Sequence, residues 1–109
     1  MLLLTTTGRK SGKKRTVPLV AIPHGSGYIL IASFGGSPTH PAWFLNIRQN
    51  PSISIRIGSL VTSAEASIID TSDSEYEEMW EKAVDTYPGY DDYKQKSPRD
   101  IPIVLVTPQ

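Results

Sequence analysis

Short apolar runs, each ended by glycine, proline or a group of polar residues, divide this chain into pieces of strand length. The predicted strands cover residues 2–6, 16–22, 28–33, 52–57, 60–69 and 101–106. Residues 24–27 read as a turn, so we expect the second and third strands to form a hairpin. Pro18 has no backbone donor, which favours a place at a sheet edge or beside a bulge for its strand.

Two segments follow a helical pattern instead. A short helix is predicted over residues 40–48, with Ser37 or Thr39 as its N-cap. A longer helix is predicted to begin at Ser72, because Ser72 and Glu75 have the spacing of a capping box and apolar residues then recur every three or four positions. This second helix is expected to stop at a Pro-Gly pair.

This order of elements predicts a mainly β, α+β fold. About six antiparallel strands are expected to form a barrel-like sheet, with two or three helices packed against it. A doubly wound nucleotide-binding fold is disfavoured, because it needs more crossover helices than the pattern provides. A length of 109 residues suits a single domain over residues 1–109.

Charge is unevenly distributed although the net charge is zero. Five of the eleven basic residues stand at positions 9–15 beside two glycines, whereas residues 70–92 hold nine acidic residues against Lys82 alone. The asymmetry favours a local anionic ligand over coating of nucleic acid. No other basic residue clusters with these five along the chain, so a nucleic-acid-binding role ranks last.

The glycines of the basic segment allow backbone N–H groups to converge, and arginine and lysine pair well with phosphate or carboxylate oxygens. A solvated hairpin tip explains the same composition equally well. The segment is not a P-loop, because Gly8 and Gly12 are three residues apart and a strand follows instead of a helix.

Two aromatic stretches offer further candidates. Paired glycines before the first helix let a flat ring approach the backbone, and the N–H groups at the helix start suit a ring edge or a phosphate. Trp43 serves equally well as the wall of such a site or as a core residue. Tyr87, Tyr90 and Tyr93 are three residues apart and, if residues 90–96 form a helical turn, share one side of it. They form either an aromatic substrate pocket or an ordinary packing face.

Several kinds of chemistry receive no support. Without cysteine the chain has no disulfide, thiolate nucleophile or cysteine-based metal site. His24 and His40 lack the spacing of metal ligands and are predicted surface residues, so no metal is expected. No apolar run reaches the roughly 20 residues of a membrane span, and a signal peptide is lacking, which indicates a cytoplasmic protein. The start directly inside a strand suggests a missing amino-terminal segment.

Three stretches together resemble the deazaflavin-dependent nitroreductases and quinone reductases of actinobacteria, which use coenzyme F-420. They are residues 3–12, 35–46 and 87–102, in the family's order. The resemblance implies a split β-barrel of the FMN-binding type. It also implies hydride transfer from C5 of the reduced deazaflavin to a small-molecule acceptor, a quinone or a nitro compound. FMN as the cofactor and a non-catalytic deazaflavin-binding protein are the alternatives.

The resemblance also assigns site residues. The cofactor tail would be held by Arg9, Lys10 and Arg15, and the deazaflavin with its ribityl chain by Ser33, Phe34, Gly35, Gly36, Pro41, Trp43 and Asn46. The cofactor-binding set also includes Thr7, Gly8, Ser11 and Gly12. The catalytic set around the acceptor would be Ser33, Tyr87, Tyr90 and Tyr93. Family members carry an amino-terminal segment that approaches the membrane, and split barrels often pair as homodimers, so peripheral membrane contact and a dimer are further expectations.

Overall fold

The structure, a computed structural model, describes residues 2–32, 40–96 and 100–108, with the side chains of Tyr93 and Lys96 left aside. The elements in chain order are β1 (Leu2–Thr7), β2 (Lys14–Leu19), β3 (Ile22–His24), β4 (Gly27–Ile31), α1 (Ala42–Gln49), β5 (Ser52–Ile57), β6 (Leu60–Ile69), α2 (Tyr76–Thr86), α3 (Gly89–Lys96) and β7 (Ile103–Pro108). The mainly β, α+β class predicted from the sequence is confirmed.

Seven strands of the described chain form one antiparallel sheet in the order β2-β1-β5-β6-β7-β4-β3. The sheet curls into a half-barrel around a core that includes Leu4, Leu30 and Val104. Helix α1 packs into this core through Trp43 and Ile47. The helix therefore lies inside the curl, beside β1.

A second core lies on the outer face of the sheet, beneath α2 and α3. Successive strand residues point to opposite faces, so Leu30 enters the inner core whereas Ile29 and Ile31 enter the outer one. β4 and β7 are thus covered on both faces, which explains why they read as nearly unbroken apolar runs. Together the two cores hold the buried apolar residues of the described chain.

The strand predicted over residues 16–22 is two strands in the structure. β2 pairs with β1, whereas β3 pairs with β4, and the chain crosses between these partners at Val20 and Ala21. The predicted hairpin with its turn after His24 is confirmed as the β3–β4 pair. Pro18 lies in β2, an edge strand of the sheet, as its missing donor requires.

The capping box predicted at Ser72 and Glu75 is wrong. Both the N–H and the hydroxyl of Ser72 donate to the carboxylate of Asp70, and these hydrogen bonds lower the pKa of Asp70. This local turn competes with helix capping, and α2 begins only at Tyr76, with Glu75 at its N-cap position. In α1 the N-cap is Pro41, whereas Ser37 and Thr39 lie outside the described residues.

Tyr76 joins α2 to the chain before β7. Its hydroxyl donates to the carbonyl oxygen of Ile101 at 2.6 Å, its side chain is buried, and its ring stacks on Trp80. Burial, with the nearby charges of Asp100 and Glu77, raises the pKa of Tyr76 to about 12. The fold therefore holds the neutral phenol more firmly than the unfolded chain does.

Replacing Tyr76 by phenylalanine is expected to lower the free energy of unfolding by about 1–2 kcal/mol at neutral pH, since the Ile101 carbonyl loses its donor. Tyrosine in the unfolded chain ionises near pH ~10. Its raised pKa in the fold contributes stability below that pH, and this contribution is lost as pH rises from about 10 towards 12. Urea unfolding at neutral and alkaline pH measures both effects. Tyr76→Phe should lack the alkaline loss, and equal curves for the two proteins would contradict the assignment.

Candidate functional site

The basic turn, residues 8–15, comprises the connection between β1 and β2 and the first two residues of β2. The Gly8 N–H donates to the Lys13 carbonyl at 2.7 Å, and the Gly12 N–H donates to the Gly8 carbonyl at 2.8 Å. Gly12 has φ of 72°, a left-handed conformation that favours glycine. A Cβ at Gly8 would lie only 3.0 Å from the Ser11 hydroxyl and 3.1 Å from the Lys13 carbonyl. The shape of the turn therefore favours glycine at both positions.

A cleft of about 220 Å³ opens between this turn and the start of α1; we call it the basic cleft. It is lined by Gly8, Arg9, Lys10, Ser11, Arg15, Ala42 and Asn46. Three of these residues are cations, and the described lining contains no carboxylate. Ala42 is the first residue of α1, so the positive end of the helix dipole adds to the same potential. The basic cleft is thus suited to an anion.

Asn46 ties the basic turn to the barrel. Its side-chain oxygen accepts hydrogen bonds from the backbone N–H and from the guanidinium Nη1 of Arg9, both at 3.2 Å. Its Nδ2 donates to the Thr6 hydroxyl at 3.1 Å. Asn46 is 4% exposed and Thr6 is 1% exposed. Sequence reasoning missed Thr6, whose signal was a hydroxyl at an inward-facing position of a strand.

The five cations of the basic segment do not act alike. Arg9, Lys10 and Arg15 line the basic cleft, whereas Lys13 and Lys14 do not. The Lys14 ammonium instead donates to the Thr7 hydroxyl at 3.1 Å, across the β1–β2 pair. Thr7, assigned to cofactor binding by resemblance, therefore accepts a hydrogen bond from the neighbouring strand.

The residues expected to surround the deazaflavin ring are only partly described. Pro41 and Trp43 are buried at the start of α1, and the Trp43 ring meets Phe44 edge to face at 6.4 Å. Trp43 is thus a core aromatic of the barrel in this structure. The predicted residues Ser33, Phe34, Gly35 and Gly36 lie outside the described residues.

Most of the tyrosine segment, Gly89–Lys96, forms α3, which packs on α2, and Tyr87 lies just before it. The Tyr87 and Tyr90 rings meet edge to face at 4.9 Å, but Tyr90 is 6% exposed whereas Tyr87 is 42% exposed. Tyr90 also contacts Trp80 in the outer core. Two of the three tyrosines are therefore brought together, one of them as a core residue, and the side chain of Tyr93 is not described.

Trp80 anchors α3 to α2, a role that the sequence did not reveal. Its indole N–H donates to the Asp91 carboxylate at 3.0 Å. The Lys94 ammonium lies 4.7 Å from the centre of the Trp80 ring and 5.2 Å from that of Tyr76, within range of cation–π attraction. Both charged residues hold the tyrosine helix in one position.

The other side of α1 borders a second cleft of about 340 Å³. Its lining comprises His40, Phe44, Arg48, Ile68, Asp70, Thr71, Asp100 and Pro102. Residues two positions apart on a helix point in nearly opposite directions, so Phe44 and Arg48 face away from Ala42 and Asn46. The mixture of one arginine with two carboxylates suits a polyanion less well than the basic cleft does.

The two histidines have structural neighbours. His24 is half-buried with its Nδ1 2.8 Å from the Lys82 ammonium, and His40 packs on Phe44 at 4.7 Å between ring centres. Over residues 2–32, 40–96 and 100–108, no three potential ligands are grouped in a way that could hold a metal ion. Within the same ranges no helix is long and apolar enough to cross a membrane.

The barrel agrees with what comparison with known proteins shows. The profile of the family described as "F420H(2)-dependent quinone reductase" matches residues 1–108. The chain belongs to this family. An F420H(2)-dependent quinone reductase of Mycobacterium tuberculosis is 33% identical over 107 residues, which are 97% of this chain and 72% of that protein.

Solved structures agree with this membership. An F420-H2 dependent reductase, FDR-A, superposes with a TM-score of 0.82 at 41% identity, over 96% of this chain and 91% of its own. A protein described as a domain-swapped dimer gives a TM-score of 0.85 at 42% identity, over 96% and 78%. The predicted split barrel and the predicted family of deazaflavin-dependent oxidoreductases are both confirmed.

Proposed function

We propose that this chain binds reduced coenzyme F-420 with its tail in the basic cleft and transfers the hydride to a quinone. The observation that carries the proposal is the cleft itself, in which three cations and a helix N-terminus converge, with no carboxylate among the lining residues that the structure describes. Membership of the F420H(2)-dependent quinone reductase family favours this cofactor over FMN.

The tail of the cofactor bears a phosphate and glutamate carboxylates. Arg9, Lys10 and Arg15 would bind these groups through charge-assisted hydrogen bonds, which are stronger than neutral ones. Lys10 and Arg15 are exposed, so their attraction is screened by salt. Cofactor affinity is therefore expected to fall as ionic strength rises.

When bound, the cofactor supplies the hydride, so the protein needs no nucleophile or metal of its own. The proton that completes reduction of the quinone would come from solvent or from a nearby hydroxyl group. The residues of this chain bind the tail and fix where the ring stands relative to α1. Pro41 and Trp43 hold the start of α1 in the barrel core and thereby the cleft wall at Ala42. Holding donor and acceptor at reacting distance lowers barriers by up to roughly 7–11 kcal/mol in favourable cases.

The full chain, mixed with reduced F-420 and a soluble menaquinone analogue, tests the proposal through the returning fluorescence of oxidised cofactor. Oxidation that depends on protein and quinone would support it. Tight binding without turnover would identify a deazaflavin-binding protein instead, and a preference for FMN would replace the cofactor. A nitroaromatic compound in place of the quinone measures the breadth of acceptors.

We place the acceptor beside α3, on the side of Tyr87 and Tyr90. Tyr90→Phe keeps the ring contacts with Trp80 and removes only the hydroxyl, so it is expected to lower kcat for the quinone about 5- to 10-fold and leave F-420 affinity unchanged. Steady-state rates with a parallel cofactor titration measure both quantities. An unchanged kcat would remove the Tyr90 hydroxyl from the acceptor site.

The roles assigned to Ser33 and Tyr93 stay predictions. We further propose a homodimer, because a structure 42% identical to this chain is described as a domain-swapped dimer. Sedimentation velocity measures the oligomeric state directly. The cytoplasmic location and the membrane contact expected from the resemblance also stay predictions.

A further inference from the structure

We infer that Asn46 is a positioning residue for the basic cleft, which acts on cofactor binding by holding Arg9 in its binding orientation. The inference rests on the proposed function and assigns Asn46 a role other than the deazaflavin contact that the family resemblance suggests. Thr6, whose hydroxyl accepts a hydrogen bond from Asn46, supports Asn46 in this role.

The first argument is the use of the Asn46 amide. Its oxygen accepts two hydrogen bonds from Arg9, and its nitrogen donates to Thr6. A side-chain amide oxygen has two lone pairs, and Arg9 uses both; of the two N–H donors, Thr6 takes one. Asn46 is 4% exposed, so little of it is left for a ligand.

The second argument is that Asn46 binds Arg9 at two places. Asn46 binds the backbone N–H and the guanidinium of the same residue, which fixes the turn and the charged group together. An arginine guanidinium carries five N–H donors, and the bond from Nη1 to Asn46 takes one of them. The remaining donors can serve an anion in the cleft that Arg9 lines.

The third argument is that Asn46 is itself held in place by the buried core. Thr6 lies in β1 with its side chain 1% exposed, and Asn46 lies on the buried side of α1. The chain Thr6–Asn46–Arg9 therefore runs from the barrel core to the cation. A long side chain that is ordered before binding loses less conformational entropy when the ligand arrives. These hydrogen bonds thus raise the affinity for the cofactor by ordering Arg9 before it binds.

A double-mutant cycle tests the inference with oxidised F-420 as the probe. Asn46→Ala is expected to weaken binding about 10-fold, the size of a lost hydrogen bond to a charged group. Arg9→Ala should cost about 10-fold in the wild type but only about 2- to 3-fold once Asn46 is already alanine, since Arg9 is then no longer held. Thr6→Val, which keeps the side-chain shape, should give a smaller loss of about 3-fold.

Thr5→Val is the matched control. Thr5 lies on the opposite face of β1 from Thr6, and its hydroxyl is hydrogen-bonded to that of Thr16 at 2.8 Å. The Thr5→Val substitution removes one hydroxyl from the same strand as Thr6→Val does, and it should leave the affinity for F-420 unchanged. If Asn46→Ala binds like the wild type, or if Arg9→Ala costs the same factor with and without Asn46, the inference is overturned. Thr6→Val keeps the test usable if Asn46→Ala fails to fold.

A measurement without cofactor separates this inference from the proposed function. Amide hydrogen exchange of the Arg9 N–H in the free protein should accelerate at least ~10-fold in Asn46→Ala, because its acceptor is gone, and should not change in Thr5→Val. An unchanged exchange rate in Asn46→Ala would show that Asn46 does not hold the backbone of Arg9. Failure of the wild type to bind F-420, with the exchange effect present, would overturn the proposed function and the binding role with it.

Discussion

Replacing Lys10 and Arg15 together by alanine is expected to weaken F-420 binding about 100-fold at low salt. Both side chains line the basic cleft, and each charge-assisted hydrogen bond to a phosphate or carboxylate is worth about 1.5–3 kcal/mol. The difference from the wild type should shrink in high salt, where exposed charges are screened. Fluorescence titration of oxidised F-420 at two ionic strengths measures both effects.

Lys13→Ala with Lys14→Ala is the matched control, since it removes the same charge from the same turn. Neither lysine lines the basic cleft, and Lys14 donates to Thr7. This pair should weaken binding only about 2- to 3-fold, through long-range attraction. Equal losses for the two double variants would show that F-420 responds to the general charge of the turn, and the geometry of the cleft would then be irrelevant.

Replacing Gly27 by alanine is expected to give a very large loss of stability, about 3 kcal/mol or more. A Cβ at this position would lie 2.3 Å from the carbonyl oxygen of Val106. That oxygen belongs to the backbone of β7, the neighbour of β4 in the sheet, and cannot rotate away as a side chain would. The sheet must therefore shift for the methyl group to fit. Urea unfolding measures the change.

Gly25→Ala in the adjoining turn is its control. Gly25 has φ of 58° and nothing within 4 Å of the added Cβ, so the cost there is only that of a left-handed residue, about 1 kcal/mol. A similar loss in both variants would mean that β4 and β7 have room to move apart. A domain of this size has roughly 5–15 kcal/mol of stability in all, so the larger loss should be visible as a lower melting temperature.

Helix α1 organises the function that these variants test. Its two sides border different clefts, the basic cleft beside Ala42 and Asn46 and the mixed-charge cleft beside Phe44 and Arg48. Its buried residues Trp43 and Ile47 fill the inner core. One short helix thus contributes to the barrel core and to the proposed cofactor site at the same time. For each variant in α1, the free energy of unfolding should therefore be measured together with the cofactor affinity.

Local pattern was sufficient for much of the fold. Alternation over residues 52–57 predicted β5, the Pro-Gly pair after α2 predicted where that helix ends, and the turn at residues 24–27 predicted the β3–β4 hairpin. These features depend on neighbours along the chain, where side-chain period and turn chemistry act directly. The family likewise followed from three ordered motifs, and its profile confirms it.

The errors arose where distant residues or competing local bonds decide. Residues 16–22 form one β-rich run by propensity. The strand divides because its first part pairs with β1 and its last part pairs with β4, which lie at separate places in the sheet. Ser72 was expected to cap a helix, yet it bonds Asp70 instead. Neither choice can be ranked from spacing alone, since both alternatives satisfy the same backbone groups.

The sequence by itself determined the class of fold, the cationic turn, the order of its elements and the family. Only the tertiary structure decided which cations share a cleft, that Tyr90 enters the outer core, and that Asn46 bridges Arg9 to Thr6. The reason is physical: composition records that five charges are close along the chain, whereas binding depends on where each charge points. That direction is set by partners such as Asn46, 37 residues away from Arg9.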